Sequence, residues 1–176
     1  PILYPYFYSK KAANTYKYGI INFIPKSYKV ITISEAAKRD IEKIAKVPTN
    51  KISVVYPSIN EKIFENAVDF VDFGLPEKYL LSISTLSPKK NIPAMLEGFS
   101  RYLASSEENE MKLVIIGRKG WKYSEIFKTI KNLKLEDKVI FLWYVEDRFV
   151  ASILKKASGF LYLSEHEGFG MPILEA

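Results

Sequence analysis

The chain has 176 residues, of which 48% are hydrophobic and 26% are charged, a composition typical of one globular domain or of parts of two. No apolar run approaches the roughly 20 residues of a membrane-spanning helix, which argues against an integral membrane segment in this sequence. There is no cysteine, which excludes disulfides and thiolate metal sites. The lack of cysteine is consistent with a reducing compartment, and we expect a cytoplasmic protein.

Positive charge is concentrated at the start of the chain. The formal net charge is +6, and residues 1–34 hold five lysines and no acid, which leaves +1 for the rest (6 − 5). Eight tyrosines and phenylalanines share that stretch. Such segments contact anionic membrane surfaces or stack on nucleic acid strands. We favour a third interpretation, packing against other parts of a larger domain. Peripheral contact with the inner face of a membrane stays an alternative, and we expect no nucleic acid partner.

The first predicted elements are a strand over 30–34, a helix over 35–46 and a strand over 52–55. Ser34 has the side chain of a helix N-cap, and Pro48 ends the helix. Proline and asparagine punctuate residues 56–60, which we interpret as a crossing between two domains.

From residue 79 onward, apolar strands alternate with amphipathic helices. The predicted strands are 79–84, 112–117, 138–142 and 159–163; the helices are one capped by Asn91, then 123–133, 147–156 and one starting near Pro172. Strands that are apolar throughout are typical of sheets buried on both faces. Their alternation with helices implies right-handed βαβ units. We therefore predict an α/β fold, with a Rossmann-like parallel sheet and helices on both faces.

The chain begins abruptly and stops at Ala176, only a few residues into the last predicted helix. A natural domain rarely ends inside an unfinished element. We therefore expect a truncated fragment, with some parts of any active site lying elsewhere in the protein.

The richest candidate site is residues 164–176, which follow the last predicted strand, because ligands bind beyond the carboxyl ends of strands in such sheets. Gly168 and Gly170 let the main chain approach a ligand closely, and the free amides of the next helix attract phosphate. Glu167 and Glu175 can accept hydrogen bonds from sugar hydroxyls on either side of a pyrophosphate. On spacing alone, a glycine-rich turn with an ordinary first-turn glutamate explains the pattern equally well.

The string Glu-Gly-Phe-Gly-Met-Pro-Ile-Leu-Glu at 167–175 resembles the two-glutamate signature of family 4 of the retaining glycosyltransferases, including its Gly-Phe-Gly-x-Pro interior. The resemblance covers most of the chain and is weak over 1–25 and 61–76. It implies the GT-B fold of two Rossmann domains. Residues 1–56 would then be the tail of the N-terminal acceptor domain, and 57–176 an incomplete C-terminal domain that binds the nucleotide-sugar donor.

The resemblance also implies roles for single residues. Lys90, with Lys89 beside it, matches the lysine that neutralises the donor pyrophosphate, and fixed cations stabilise the charge of a leaving diphosphate. Glu167 matches the first glutamate, near the donor sugar, and is our catalytic candidate. Glu175 matches the second, which holds the ribose hydroxyls. The other expected donor-binding residues are Ser84, Thr85, Gly117, Arg118, Tyr144, Val145, Gly168, Phe169 and Gly170.

The chain departs from the family pattern at two places. Ser84 and Thr85 stand where many members have Gly-Arg; a mannosyltransferase-like subgroup has Gly-Thr, which favours GDP-mannose as donor. Trp143 replaces a usual glycine in the loop that cradles the base, so the shape of the base pocket should differ. His166, the only histidine, we interpret as lining the sugar site or facing solvent rather than as a general base.

Asp69 and Asp72 do not form an Asp-x-Asp pair, so we expect no metal and no other cofactor. The resemblance implies a hexosyltransferase of polysaccharide biosynthesis, which moves a sugar from a nucleotide diphosphate to a glycan or lipid-linked acceptor with retention of configuration. We expect the fragment alone to be inactive. Two alternatives stay open, namely a sugar-nucleotide epimerase on the same fold and a degenerate domain that only binds a nucleotide or a partner.

Overall fold

The computed structural model describes residues 2–59, 73–105 and 110–176, so Asp69 and Asp72 lie outside the described residues. The described residues form two compact units. The first unit comprises residues 2–59 with His166–Met171, and the second comprises 73–105, 110–165 and Pro172–Ala176. The acceptor and donor domains that we assign to 1–56 and 57–176 stay predictions. No described helix is both long enough and apolar enough to cross a membrane.

The first unit is a small α/β arrangement. Its elements are α1 (Lys10–Phe23), β1 (Val30–Thr32), α2 (Glu35–Ala45) and β2 (Ile52–Val54), with 3-10 turns at Pro5–Phe7, Ile24–Lys26 and Thr49–Lys51. β1 and β2 pair in parallel. Ala45, Val47 and Ile52 are buried between these elements, with apolar residues of α1, α2 and β1 packed around them.

The start of α2 confirms the predicted helix cap. The Ser34 hydroxyl accepts a hydrogen bond from the Ala37 amide at 3.0 Å, which satisfies one of the amides that the first turn of a helix leaves unpaired. Ser9 does the same for α1, accepting from the Ala12 amide at 3.2 Å.

The described part of the second unit is built on a parallel sheet. Its elements are β3 (Tyr79–Ile83), α3 (Ile92–Ser105), β4 (Lys112–Ile116), α4 (Ser124–Asn132), β5 (Val139–Leu142), α5 (Asp147–Lys156), β6 (Gly159–Phe160) and α6 (Met171–Glu175). The first residue of α6, Met171, belongs to the first unit. The strand order is β5-β4-β3-β6, and every pair is parallel. The predicted parallel sheet is thereby confirmed.

Side chains of β4 alternate between the two faces of the sheet. Leu113 and Ile115 pack with apolar residues of α3 and α4. Val114 and Ile116 point the other way and pack with Ile153 of α5. Both faces are therefore covered by helices, which confirms the predicted layers and explains why the strands are apolar throughout.

β6 is shorter than the predicted strand over 159–163. The Leu161 amide still donates to the Leu81 carbonyl at 2.7 Å, but the chain then leaves the sheet. It bends to Glu165, whose amide donates to the Lys89 carbonyl at 3.0 Å. The sequence after Phe160 is apolar enough for a strand, but its hydrogen-bonding partner is a loop.

Candidate functional site

The loops after β3 and β4 are joined by main-chain hydrogen bonds beyond the ends of the strands. The Ser84 amide donates to the Ile116 carbonyl at 2.9 Å, the Leu86 amide to the Arg118 carbonyl at 3.0 Å, and the Gly120 amide to the Leu86 carbonyl at 3.0 Å. These bonds hold two loops with predicted donor-binding residues side by side at the carboxyl edge of the sheet, where open α/β sheets bind their ligands.

Gly117 is required by the closeness of these two loops. A Cβ at this position would lie 2.0 Å from the Ser84 carbonyl oxygen, and its φ of 152° is unusual for any other residue. Gly120 is in a similar position, since a Cβ there would lie 2.8 Å from the Leu86 carbonyl oxygen. Close packing therefore accounts for Gly117, and its contact with a donor stays a prediction.

Two buried hydroxyls lie beyond the ends of neighbouring strands. Ser84 follows β3, Ser164 follows β6, and the hydroxyl oxygen of each is buried with no hydrogen-bond partner among the described residues. A buried hydroxyl that stays unpaired costs about 1–3 kcal/mol, so both are candidates for bonding a ligand. Ser164 lies in the predicted segment 164–176, but no role was predicted for it. Its position at the end of a strand, directly before the glutamate loop, was the sequence feature that could have indicated one.

Lys89 and Lys90 lie on a 3-10 turn, Pro88–Lys90, in the loop after β3. Asn91 follows at φ 51°, a left-handed conformation that asparagine tolerates well, and its carbonyl accepts from the Met95 amide of α3 at 3.2 Å. The bond from the Glu165 amide to the Lys89 carbonyl ties the turn to the loop after β6. The predicted pair of cations thus lies at the same edge as Ser84.

The loop after β5 begins with an aromatic stack. The Trp143 ring lies parallel to that of Phe141, with centroids 5.2 Å apart and 9° between the planes, and 6.2 Å from Phe127 of α4. Lys119 Nζ lies 4.9 Å from the Trp143 ring centroid. Trp143 therefore extends the core on the α4 side of the sheet, where a glycine would leave Phe141 uncovered.

Tyr144 and Val145, the predicted base-binding residues, differ in exposure. Tyr144 is 83% exposed, whereas Val145 is buried in the core beside α5. Any contact of Val145 with a base would therefore come from its main chain. Arg118 is exposed at the same edge, and so is Thr85.

The glutamate loop packs in the first unit. A Cβ on Gly168 would lie 3.3 Å from Cδ1 of Ile33, and the Phe169 ring lies 6.0 Å from that of Tyr56. Gly170 has a φ of 98°, which favours glycine. Glu167 and these three residues belong to the first unit, while Lys89, Lys90 and Glu175 belong to the second. Their convergence on one donor stays a prediction.

His166 has packing partners that the sequence did not indicate. Its Nε2 lies 3.7 Å from Oδ2 of Asp40 on α2, and its ring centroid lies 4.8 Å from that of Tyr4. The histidine is thus half-buried against the first unit and helps to hold the loop that carries Glu167.

Nowhere in the described ranges do three His, Asp or Glu side chains gather as a metal site would need. The groups at the carboxyl edge that could bind a diphosphate are lysine side chains, hydroxyls and main-chain amides. The expectation that no metal or cofactor is needed stays a prediction.

The parallel sheet of the second unit, with helices on both faces, has the architecture of a Rossmann-like domain, two of which make up a GT-B glycosyltransferase. HepE from Anabaena, solved in complex with UDP and glucose, superposes with a TM-score of 0.76 at 20% identity, over 100% of this chain and 48% of HepE. WaaG, a glycosyltransferase involved in lipopolysaccharide biosynthesis, gives a TM-score of 0.74 at 16% identity, over 100% of this chain and 48% of WaaG. The predicted GT-B fold is confirmed.

Residues 65–176 match the family described as Glycosyl transferases group 1, and the chain belongs to this family. The O-antigen chain mannosyltransferase RfbU of Salmonella typhimurium is 32% identical over 147 residues, which cover 84% of this chain and 38% of RfbU. The O-antigen chain mannosyltransferase B of Escherichia coli is 27% identical over 153 residues, which cover 84% of this chain and 40% of that protein. The chain thus spans about two fifths of the length of these relatives.

Proposed function

We propose that the protein containing this chain is a retaining glycosyltransferase that moves a sugar, with GDP-mannose as the favoured donor, to a glycan or lipid-linked acceptor. The observation that carries the proposal is the Lys89–Lys90 turn, held at the carboxyl edge of a parallel sheet beside the buried hydroxyl of Ser84. Family membership supports the reaction class, and relatives named as mannosyltransferases support the sugar.

In this proposal the second unit holds the donor. The two lysines neutralise the diphosphate, whose charge grows as the glycosidic bond breaks, so their stabilisation is larger in the transition state than in the bound substrate. Glu175 accepts hydrogen bonds from the ribose, and Glu167 lies near the donor sugar. The cations and amides do the work of a divalent metal, so the reaction needs none.

The choice of donor rests on the loop after β3. Thr85 stands where the mannosyltransferase-like subgroup has threonine, and two relatives carry mannosyltransferase names. The HepE structure contains UDP, which makes UDP the natural competitor in any test. We expect the chain to bind GDP more tightly than UDP.

Calorimetry with GDP and UDP tests the site. Lys90→Ala and Glu175→Ala should each weaken GDP binding by about tenfold or more, because each removes a hydrogen bond to a charged group, worth about 1.5–3 kcal/mol. Lys128→Ala and Glu125→Ala are matched controls. These residues pair with each other at 3.0 Å on the exposed face of α4, and their loss should leave GDP binding unchanged. Unchanged affinity in both Lys90→Ala and Glu175→Ala would contradict the assignment.

Product analysis separates the alternatives. A transferase releases nucleoside diphosphate and leaves the sugar on the acceptor, whereas an epimerase returns a sugar nucleotide of altered configuration. A degenerate domain binds nucleotide and does neither. The full-length enzyme is the right sample, because the chain spans only part of its relatives.

We also propose that the enzyme is cytoplasmic, with contact at the inner face of a membrane as the alternative. The exposed aromatics of α1 and the following turn, which include Tyr16, Tyr18 and Phe23, accompany exposed lysines. We propose that they pack against the rest of the protein. If they instead contact lipid, the chain will sediment with anionic vesicles and salt will release it.

A further inference from the structure

Tyr162 is an aromatic residue beside the basic turn that the proposed donor site does not use. It follows β6, and its ring lies nearly parallel to that of Phe160, with centroids 6.4 Å apart and 15° between the planes. Phe160 packs against the core on the α5 side. Lys90 Nζ lies over the Tyr162 ring, 5.3 Å from its centroid, within the range of a cation–π contact.

The main chain of the lysine turn is fixed by hydrogen bonds, one of which comes from the loop after β6. The Glu165 amide donates to the Lys89 carbonyl at 3.0 Å, and the Lys90 amide donates to the Ser87 carbonyl at 3.0 Å. The backbone of the turn is therefore fixed, but a lysine side chain has four rotatable bonds beyond it. The ring of Tyr162 lies against the far end of that side chain.

We propose that Tyr162 is a positioning residue for Lys90, which holds the ammonium group at the carboxyl edge before the donor binds. The inference rests on the proposed function, since it deepens the role of Lys90. A neutral ring attracts the ammonium group through its quadrupole without cancelling its charge, so this contact is compatible with a diphosphate binding to the same lysine. Holding the side chain in advance lowers the ordering cost of binding.

A double-mutant cycle on the full-length protein tests the inference, with GDP as the ligand in calorimetry. Tyr162→Leu should weaken GDP binding by about two- to fivefold, the scale of a partly exposed cation–π contact. In the Lys90→Ala background the same substitution should have no further effect, because the ammonium group that the ring would hold is absent. Tyr162→Phe keeps the ring face and should bind GDP as the unsubstituted chain does.

The Lys119–Tyr123 pair is the matched control. Lys119 Nζ lies 5.2 Å from the Tyr123 ring centroid, a similar contact on the α4 side of the same unit. Tyr123→Leu should leave GDP affinity unchanged. Urea unfolding of each variant shows whether a loss of affinity follows a loss of stability, and only a loss coupled to Lys90 supports positioning.

Two results would overturn the inference while the proposed function stands. One is wild-type affinity in Tyr162→Leu, and another is an equal loss in the presence and absence of the Lys90 side chain. If Lys90→Ala alone weakens GDP binding, the proposed function stands while the role of Tyr162 is refuted. If the unsubstituted full-length protein binds neither GDP nor UDP, the proposed function fails and the inference fails with it.

Discussion

Tyr79 links the first strand of the larger unit to the helix on one of its faces. Its side chain is 2% exposed, and its hydroxyl donates to the Ile153 carbonyl of α5 at 2.6 Å. Desolvation by burial raises the pKa of this phenol above its ordinary value of 10.0. Only the neutral phenol can donate this bond, so the folded state holds its proton to higher pH than the unfolded chain does.

This pKa shift predicts a loss of stability at alkaline pH. The unfolded state gives up the proton near pH 10 while the folded state keeps it, so the contribution of Tyr79 is complete below pH 10 and is lost as the pH rises through the folded-state pKa. Tyr79→Phe should cost about 1 kcal/mol at pH 8. This difference from the wild type should shrink as the pH rises above 10 in urea titrations. A constant difference would contradict the prediction.

At the scale of elements, β5 and α4 are joined by stacked aromatic rings. The Phe141 and Trp143 rings are stacked, and the Phe127 ring lies against Phe141 at a tilt of 35°, so the three rings form a cluster that ends in the loop after β5. Trp143 is 43% exposed, so it covers the end of the core while leaving one side toward solvent. This residue therefore contributes to the stability of the strand–helix contact.

Trp143→Gly should therefore lower the free energy of unfolding by about 2–3 kcal/mol, from lost burial and ring stacking together with the backbone entropy of glycine. Trp121→Gly is a matched control, because Trp121 is similarly exposed at 47% and its recorded ring contact is Lys122 at 6.0 Å. Urea denaturation should show a smaller loss for Trp121→Gly. Equal losses would mean that the stack is not what stabilises this loop.

For the molecule as a whole, the two units differ in how much core they have. Among the described residues, the smaller unit buries Ala45, Val47 and Ile52 in its cluster around a two-stranded sheet, whereas the larger has a core on each face of a four-stranded sheet. Two-stranded sheets with little buried area are marginally stable. Local opening should therefore be easier in the smaller unit.

Hydrogen exchange followed by mass spectrometry measures this difference. Amides of β1 and β2 should exchange at least about tenfold faster than those of β3 and β4, because local opening needs less free energy where less apolar surface is buried. The helix amides of α3 serve as the internal reference for a well-covered element. Equal protection of the two sheets would show that they unfold as one cooperative body.

The sequence predicted those parts of the fold that follow from local pattern. Apolar strands alternating with amphipathic helices are sufficient for the parallel sheet, and the hydroxyl of Ser34 is sufficient for the cap of α2. The early end of β6 was not predictable, because it depends on a bond from Glu165 to Lys89, far apart in sequence.

The candidate site was also predictable from the sequence only in part. A family pattern selected Lys90 and the two glutamates, and their roles still need ligand binding for a test. The contacts of His166 with Tyr4 and Asp40, and of Lys90 with Tyr162, join residues 72 or more positions apart, and none of these three pairs has a sequence signal. The burial of Val145 was not predictable for a similar reason. Its base-binding role was assigned from its neighbours in the loop sequence, whereas its burial depends on packing against residues far away in sequence.

The bonds that join the loops at the carboxyl edge run from amide to carbonyl, so they do not depend on which side chains those loops carry. Glycine at 117 and 120 is what lets the two backbones come so near each other. A lineage that keeps these two glycines can exchange the exposed residues at 85 and 118 without rebuilding the scaffold. Under the proposed function, a change of sugar nucleotide would therefore need only point changes, and directed evolution should begin at those two positions.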